Sequence, residues 1–226
     1  MLKLKTKRFD RRNNTPILSN NEIDEFAHAV LADYKPELIK EPGMIRFEHF
    51  LEVYLGANLF YEDIYHEDPQ KPIFGATAFQ DTVLKVFDKE KLGVKHINVP
   101  AHSVIIDNYV MQEGKEGLAT FTGLHEGGHI LLHSQVCAED RGNEWQEYQA
   151  DYFAAAIAMP NATFRPFASR LLREHGIRRG RIYLGADEDL DILAKDILPD
   201  FIKEVYGVSR QAAFIKLRKT GFIAYE

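Results

Sequence analysis

Residues 120–133 read TFTGLHEGGHILLH, and this stretch has the apolar spacing of a helix. Gly127 and Gly128 lie side by side in its middle, where each glycine should cost about 1 kcal/mol relative to alanine. A weak surface helix is a poor explanation, because apolar residues surround the pair: Leu124, Ile130, Leu131 and Leu132. We therefore expect another backbone to pack closely against this helix at the two glycines.

The same stretch contains the pattern His-Glu-x-x-His at residues 125–129. Residues four apart in a helix lie about 40° apart around the axis and about 6 Å apart along it, so His125 and His129 can direct both imidazoles at one ion. Glu126 is placed to accept a proton from a water held by that ion. A chain of this composition contains the pattern by chance about 0.03 times. The ligand types favour zinc over manganese or iron.

A catalytic zinc usually has three protein ligands and one open position, so a third ligand should follow this helix. Glu147 and Asp151 lie four residues apart on one face of the next predicted helix. Glu147 is the preferred ligand, because Asp151 can then accept a hydrogen bond from a ligand histidine and fix its tautomer. Glu144 is the rival ligand, but no aspartate follows it at the same spacing. The remaining acidic candidates downstream are Glu139 and Asp140.

The composition is that of a globular protein with no general affinity for nucleic acid. The chain has 226 residues, of which 45% are hydrophobic and 27% charged, and its net charge is −6. Its one cysteine, Cys137, cannot form an intrachain disulfide and is expected to be inert. No run approaches the about 18 apolar residues of a membrane span, and the basic start lacks the apolar segment of a secretory signal. We expect a cytoplasmic protein.

The periodicity predicts an α+β fold in three parts. Residues 1–19 form a basic N-terminal arm, expected to be a mobile or edge segment. Residues 20–160 form the main domain, with a small, mainly antiparallel sheet between Ala57 and Asp107. Residues 161–226 form a helical C-terminal region. Its last part reads as a helix, a turn at Gly207 and a helix capped by Ser209. The other predicted helices cover 19–34, 44–56, 117–134 and 143–158.

Two segments resemble the ImmA/IrrE family of bacterial metallopeptidases. FTGLHEGGHILLH is similar to the signature F-T-x-x-H-E-x-G-H-x-L-x-H, and EYQADYFAAAIAMP is similar to E-x-x-A-(N/D)-x-F-A followed by Met-Pro. The resemblance implies a zincin-like metallopeptidase core with an active-site helix pair and one zinc ion. In that site His125, His129 and Glu147 would be ligands, Glu126 the base, and Asp151 the residue that holds a ligand histidine.

The expected activity is zinc-dependent hydrolysis of peptide bonds in one selected intracellular protein. Some members of the family cleave a DNA-bound repressor, so the resemblance implies a transcriptional repressor as substrate. A donor to the developing oxyanion is also expected. The candidates are Tyr148, Tyr152, His102 and His133. His133 lies about 12 Å along the helix axis from His125 and cannot complete the same site. As a cation it would suit the C-terminus of the helix.

Two alternatives to an enzyme are a DNA- or protein-binding regulator with a structural or vestigial zinc, and a toxin–antitoxin component. Glu126 argues against a purely structural site, which needs no base. The C-terminal YGVSRQAAFIKLRKTGF resembles a helix-turn-helix with a basic second helix. A helical buttress with a solvated basic face is the favoured interpretation. The candidate nucleic-acid contacts are Arg210, Lys216, Arg218 and Lys219.

Overall fold

The computed structural model describes residues 2–68, 70–136, 141–185 and 187–225. Cys137 and the acidic ligand candidates Glu139 and Asp140 lie outside these ranges. The fold is α+β, as predicted. Two long helices, α3 (Glu116–His133) and α4 (Glu144–Ala158), pack against each other at its centre. Within the described residues, no helix is both long and apolar enough to span a membrane.

The first helix, α1 (Asn20–Tyr34), lies where the sequence predicts it and packs against α4. It begins with a capping box, in which the Ser19 hydroxyl accepts from the Glu22 N–H and the Glu22 carboxylate accepts from the Ser19 N–H. The apolar face predicted for this helix is buried: Ile23, Phe26, Ala27, Val30 and Leu31.

The second predicted helix is shorter and wider than a regular α-helix. Helix α2 (Phe47–His49) continues as a π-helical turn over Phe50–Tyr54, and the chain leaves it at Gly56 with φ 71°. Phe50 and Leu51, at the start of this turn, are buried in the core. The N–H of Leu55 bonds to Phe50 O, five residues earlier, and the 3.6-residue period of a regular helix does not predict this widening.

Five strands lie in the region where the sequence predicts one small sheet, but they make two sheets. Three of them form one sheet in the order β1 (Asn58–Glu62), β5 (Ser103–Asp107), β2 (Gly75–Ala78). The other two, β3 (Thr82–Asp88) and β4 (Gly93–Val99), form an antiparallel hairpin. Strand β2 is antiparallel to β5, as expected, whereas β1 is parallel to it. The central strand β5 is buried along its whole length, and α3 packs against it.

The C-terminal region contains more than helices. Helix α5 (Asn161–Glu174) is followed by β6 (Ile182–Leu184), which pairs in parallel with β7 (Ile223–Tyr225) at the end of the chain. Each strand has three residues, too few to show an alternating pattern in sequence. Between them lie α6 (Glu188–Ile192), a π-helical turn (Leu193–Ile197), α7 (Leu198–Tyr206) and α8 (Arg210–Lys219).

The π-helical turn explains how the chain accommodates Pro199. A proline inside a regular helix lacks an N–H and its ring meets the carbonyl four residues earlier. Here the turn just before it is widened, and the Leu198 N–H bonds to Leu193 O. Helix α7 then ends at Gly207, whose φ is 67°, and the Ser209 hydroxyl caps α8. Both of these predictions are confirmed.

The N-terminal arm lies along α3 and α4. Leu2 and Leu4 pack against the core, and the Leu2 N–H donates to the Tyr54 hydroxyl. Further along the arm, Thr15 is buried and Phe9 forms a β-bridge with Pro16. The hydrophobic core itself runs without a break from the α1 region into the C-terminal helices.

Candidate metal centre

The two adjacent glycines of α3 face neighbouring elements. A Cβ added to Gly128 would lie 3.3 Å from Ala150 Cα in α4, and one added to Gly127 would lie 2.9 Å from the Phe50 ring. The expected close approach of another backbone is therefore confirmed at Gly128, whereas Gly127 makes room for the Phe50 side chain. Because α4 approaches so closely, its acidic residues come within reach of the histidines on α3.

His125, His129 and Glu147 meet at one point between the two helices. His125 Nε2 lies 3.0 Å from His129 Nε2 and 3.2 Å from Glu147 Oε2, and His129 Nε2 lies 3.5 Å from Glu147 Oε1. Two nitrogens bound to one tetrahedral zinc lie about 3.4 Å apart, so this spacing is close to that of a zinc site. In the described part of the chain, no other three His, Cys, Asp or Glu side chains are compact enough to hold an ion.

Asp151 contacts the outer nitrogen of His125. Its Oδ1 lies 2.9 Å from His125 Nδ1, which leaves Nε2 facing the centre of the cluster. Burial lowers the pKa of His125, but hydrogen bonds to Asp151 and Glu147 outweigh it and raise the pKa to about 10. Hydrogen bonds from His125 and His129 hold the pKa of Glu147 well below its usual range. The exposed Glu144 does not join the cluster.

His129 has a different neighbour at its outer nitrogen. Its Nδ1 lies 3.0 Å from His133 Nδ1, and His133 Nε2 lies 2.9 Å from Gln149 Oε1. His133 is 1% exposed, and burial lowers its pKa to about 4. It is therefore neutral at pH 7, and the expectation of a cationic residue at the helix end is wrong.

Glu126 is held on the cavity side of α3 by strand β2. It is 4% exposed, and the Thr77 hydroxyl donates a 2.7 Å hydrogen bond to its Oε2. The other carboxylate oxygen lies close to Gly75, where an added Cβ would come within 2.7 Å of Oε1. Sequence analysis missed both β2 residues, because neither belongs to a motif and β2 lies far from α3 in the chain.

These side chains line one open cavity of about 740 Å³. Its walls carry His125, His129, Glu126, Glu147 and Asp151 on one side and the edge strand β2 on another. Aromatic and cationic groups complete the lining, and the Arg141 guanidinium stacks 3.9 Å from the Phe79 ring. The cavity can therefore admit an extended chain beside the three converging ligand atoms.

None of the four candidate oxyanion donors lines this cavity. The Tyr148 hydroxyl donates to Asn20, and the Tyr152 hydroxyl donates to Asp24 in α1. His102 lies in the turn before β5 and contacts the carbonyl of Leu55. His133 lies behind His129. The polar atoms of all four residues are engaged by other parts of the fold.

A family model provides an independent comparison. The model of the IrrE N-terminal-like domain, of the peptidase M78 family, matches residues 89–218, which is more than half of the chain. The chain belongs to this family of metallopeptidases. The resemblance to the ImmA/IrrE family is therefore confirmed. A search of curated proteins found no match.

The matched range of this IrrE-like chain contains all three residues of the candidate metal site, His125, His129 and Glu147. Thr77 and Gly75, which hold Glu126, lie before it, in the part of the chain that the family model does not match. The N-terminal arm also lies outside the matched range. The cavity is thus built from a matched helix pair and an unmatched strand.

The basic residues of α8 are engaged within the fold. Arg210 pairs with Asp200 at 2.7 Å and with Asp196 at 3.2 Å. Lys216 is 8% exposed, its ammonium lies 5.7 Å from the Phe164 ring, and burial lowers its pKa to about 8. The remaining two cations lie over aromatic rings, Arg218 over Tyr225 and Lys219 over Tyr152.

Of the four candidate nucleic-acid contacts, Lys216 is thus the one whose side chain is buried. Its aliphatic stem is buried, so it belongs to the packed side of α8. The first turn of α3 also packs on the turn before α8, where Gly117 leaves room for the backbone of Val208 and Ser209. Through this turn, the C-terminal helix pair packs against the N-terminal end of α3.

Proposed function

We propose that this chain is a zinc-dependent endopeptidase that uses Glu126 as its general base. One observation carries the proposal: the Nε2 atoms of His125 and His129 and the carboxylate of Glu147 converge within 3.5 Å, beside a buried glutamate in an open cavity. This donor set is one that catalytic zinc uses, with a position left open for water or substrate.

The ligand set fits zinc chemically as well as geometrically. An ion held by the two histidines and Glu147 would supply a water of lowered pKa and a Lewis acid for the substrate carbonyl. Asp151 holds His125 with Nε2 directed at the centre of the cluster, where Glu147 would add negative charge beside an ion. A purely structural site would be expected to have four protein ligands.

Glu126 is placed to move the protons of the reaction. It accepts a proton from the attacking water and passes it to the amine that leaves when the peptide bond breaks. Thr77 holds one carboxylate oxygen, so the side chain keeps one orientation while it accepts and donates. Gly75 leaves the space in which that orientation fits.

Strand β2 offers a way to bind a peptide. It is an edge strand of its sheet and borders the cavity, so an extended substrate can add to it by backbone hydrogen bonds. We extend the proposal to one selected protein in the cytoplasm, with a transcriptional repressor as the leading candidate. The support for this extension is the resemblance to the ImmA/IrrE family.

The experiment compares wild type with Glu126→Gln, which should keep the metal and lose the base. Each protein is incubated with a lysate of the source organism, and new protein N-termini are labelled and sequenced. Glu144→Gln is the matched control, because Glu144 is exposed and lies outside the metal cluster. We expect a small set of termini from wild type and Glu144→Gln that Glu126→Gln does not produce.

Identical termini from wild type and Glu126→Gln, with zinc bound to both, would contradict the proposal. In that case a binding module that retains a metal would become the better explanation. A repressor among the specific termini would support the regulatory part, whereas termini from many unrelated proteins would contradict selectivity without affecting the assignment of Glu126.

A further inference from the structure

A line of buried hydrogen bonds runs from a metal-ligand histidine to the N-terminal arm. His129 Nδ1 lies 3.0 Å from His133 Nδ1, and His133 Nε2 lies 2.9 Å from Gln149 Oε1. The Gln149 amide then donates through Nε2 to the backbone carbonyl of Pro16 at 2.7 Å. Gln149 is 0% exposed, so water does not compete for these bonds.

The Pro16 carbonyl, at the end of this series of hydrogen bonds, determines which atom is the donor and which the acceptor in each of them. A carbonyl oxygen only accepts, so the Gln149 amide must direct its nitrogen at Pro16 and its oxygen at His133. Because that oxygen also accepts, His133 donates from Nε2, and the neutral imidazole then has its lone pair on Nδ1. His129 must then carry its proton on Nδ1. This leaves the lone pair of His129 Nε2 for an ion.

We propose that the backbone carbonyl of Pro16 selects the metal-binding tautomer of His129 through two positioning residues, Gln149 and His133. The inference rests on the proposed metal site. It makes the N-terminal arm part of that site, although the arm lies about a hundred residues before the ligands in the chain. Neither positioning residue touches the substrate cavity.

The arm is fixed in the place where this carbonyl is needed. The buried Thr15 hydroxyl accepts a 2.8 Å hydrogen bond from Gln146, one turn before Gln149 on α4. The Asn14 side chain donates to the carbonyl of Gln135, just beyond the end of α3. Hydrogen bonds therefore fix the arm to α4 and to the segment just after α3, close to the Pro16 carbonyl.

The two ligand histidines are therefore held in different ways. His125 has a carboxylate, Asp151, whose side chain is 58% exposed. His129 is instead bonded to the neutral, buried side chains of His133 and Gln149, which end at the backbone carbonyl of Pro16. A carboxylate can adapt to either tautomer of its partner only by changing its own protonation. The neutral line instead permits a single arrangement of donors and acceptors.

The test uses the full chain loaded with cobalt(II), whose visible absorption reports on ligand geometry. Gln149→Met removes both bonds of the amide, and His133→Phe removes the acceptor for His129. Gln146→Met is the matched control, because it also removes a buried glutamine bond to the arm but leaves the line intact. A fourth variant, His133→Gln, can restore an acceptor for His129 and a donor for Gln149.

We expect the metal dissociation constant, measured by chelator competition, to rise about 10- to 100-fold in His133→Phe and about tenfold in Gln149→Met. Both variants should shift the cobalt spectrum. Gln146→Met should bind metal within about twofold of wild type, and His133→Gln should recover most of the affinity lost in His133→Phe. Stability in urea is measured in parallel, so that only folded protein is compared.

Equal weakening by Gln149→Met and Gln146→Met would overturn the inference, because simple packing of the arm would then explain both. Unchanged affinity and spectrum in Gln149→Met and His133→Phe would overturn it too. His125→Ala tests the metal site itself and is measured first. If it binds cobalt as tightly as wild type, the proposed metal site is wrong, whatever the other variants do.

Discussion

The Thr77 hydroxyl donates a 2.7 Å hydrogen bond to Glu126 Oε2, across 49 residues of sequence. The contact joins the edge strand of the small sheet to the helix that carries the proposed base. It means that the orientation of Glu126 depends on β2 as well as on its own helix. The first prediction below tests the hydrogen bond from Thr77, and the second tests the space that Gly75 leaves for the carboxylate.

We predict that Thr77→Val lowers kcat about tenfold and leaves the metal content unchanged. Valine keeps the shape of threonine but cannot donate to Glu126, and hydrogen bonds to charged groups contribute about 1.5–3 kcal/mol. The measurement is the cleavage rate of the substrate identified by terminus mapping. Thr122→Val is the control, because Thr122 lines the same cavity from α3. Equal losses in both variants would show that Thr77 has no special role.

We predict that Gly75→Ala lowers activity by about 10- to 100-fold, while the metal stays bound. An added Cβ would lie 2.7 Å from Glu126 Oε1 and 2.8 Å from Thr122 Cγ2, so the carboxylate must move. Overpacking of this kind typically costs about 1–3 kcal/mol.

Gly93→Ala provides the control for this substitution, since a Cβ there meets nothing closer than 3.8 Å. Metal content and the cleavage rate are measured on the same samples. Full activity in Gly75→Ala would mean that the carboxylate does not need its present position.

We predict that Glu147→Ala weakens zinc binding by more than about 100-fold and that Glu144→Ala does not change it. Glu147 supplies the oxygen of the three-atom cluster, whereas Glu144 lies one turn away and outside it. The measurement is the zinc content of each variant after dialysis against a weak chelator. Retention of zinc by Glu147→Ala together with loss by Glu144→Ala would assign the third ligand to the rival residue.

Lys216 gives a prediction about pH and stability. Its pKa in the folded protein is about 8, below the ordinary value of 10.5, because burial disfavours the charge. The folded state therefore holds fewer protons than the unfolded state between these two values, and its stability rises with pH across that window. The cost of the buried charge is fully present below about pH 8 and amounts to about 3 kcal/mol.

We predict that Lys216→Met has a higher free energy of unfolding than wild type at pH 7, by up to about 3 kcal/mol, and that the gap narrows towards pH 10. Urea denaturation at the two pH values measures it. Lys219→Met is the control, because Lys219 is exposed. A gap that is the same at both pH values would refute the assignment of the cost to the buried charge.

Local patterns predicted most of the elements. The helices α1, α3 and α4 and the turn at Gly207 follow from apolar spacing, caps and glycine, which act between residues close together in the chain. The differences arise where the structure departs from regular geometry. Two π-helical turns and the three-residue strands β6 and β7 have no regular period to detect.

The candidate oxyanion donors show why residue type is not enough. The polar atoms of Tyr148, Tyr152 and His102 are of types that can stabilise a negative charge. In the folded chain those atoms bond to Asn20, Asp24 and the carbonyl of Leu55, on elements that the sequence does not place beside them. A hydrogen-bonding group takes whichever partner packing brings within reach.

By itself, the sequence determined that one helix would present His125, His129 and Glu126 together, because a spacing of four residues is fixed by the helix geometry. Only the tertiary structure decided what surrounds them. The packing of α4 on Gly128 brings Glu147 to the histidines, β2 brings Thr77 to Glu126, and the arm brings the Pro16 carbonyl to Gln149. These contacts join residues far apart in the chain, and such contacts depend on the packing of whole elements, which no local period encodes.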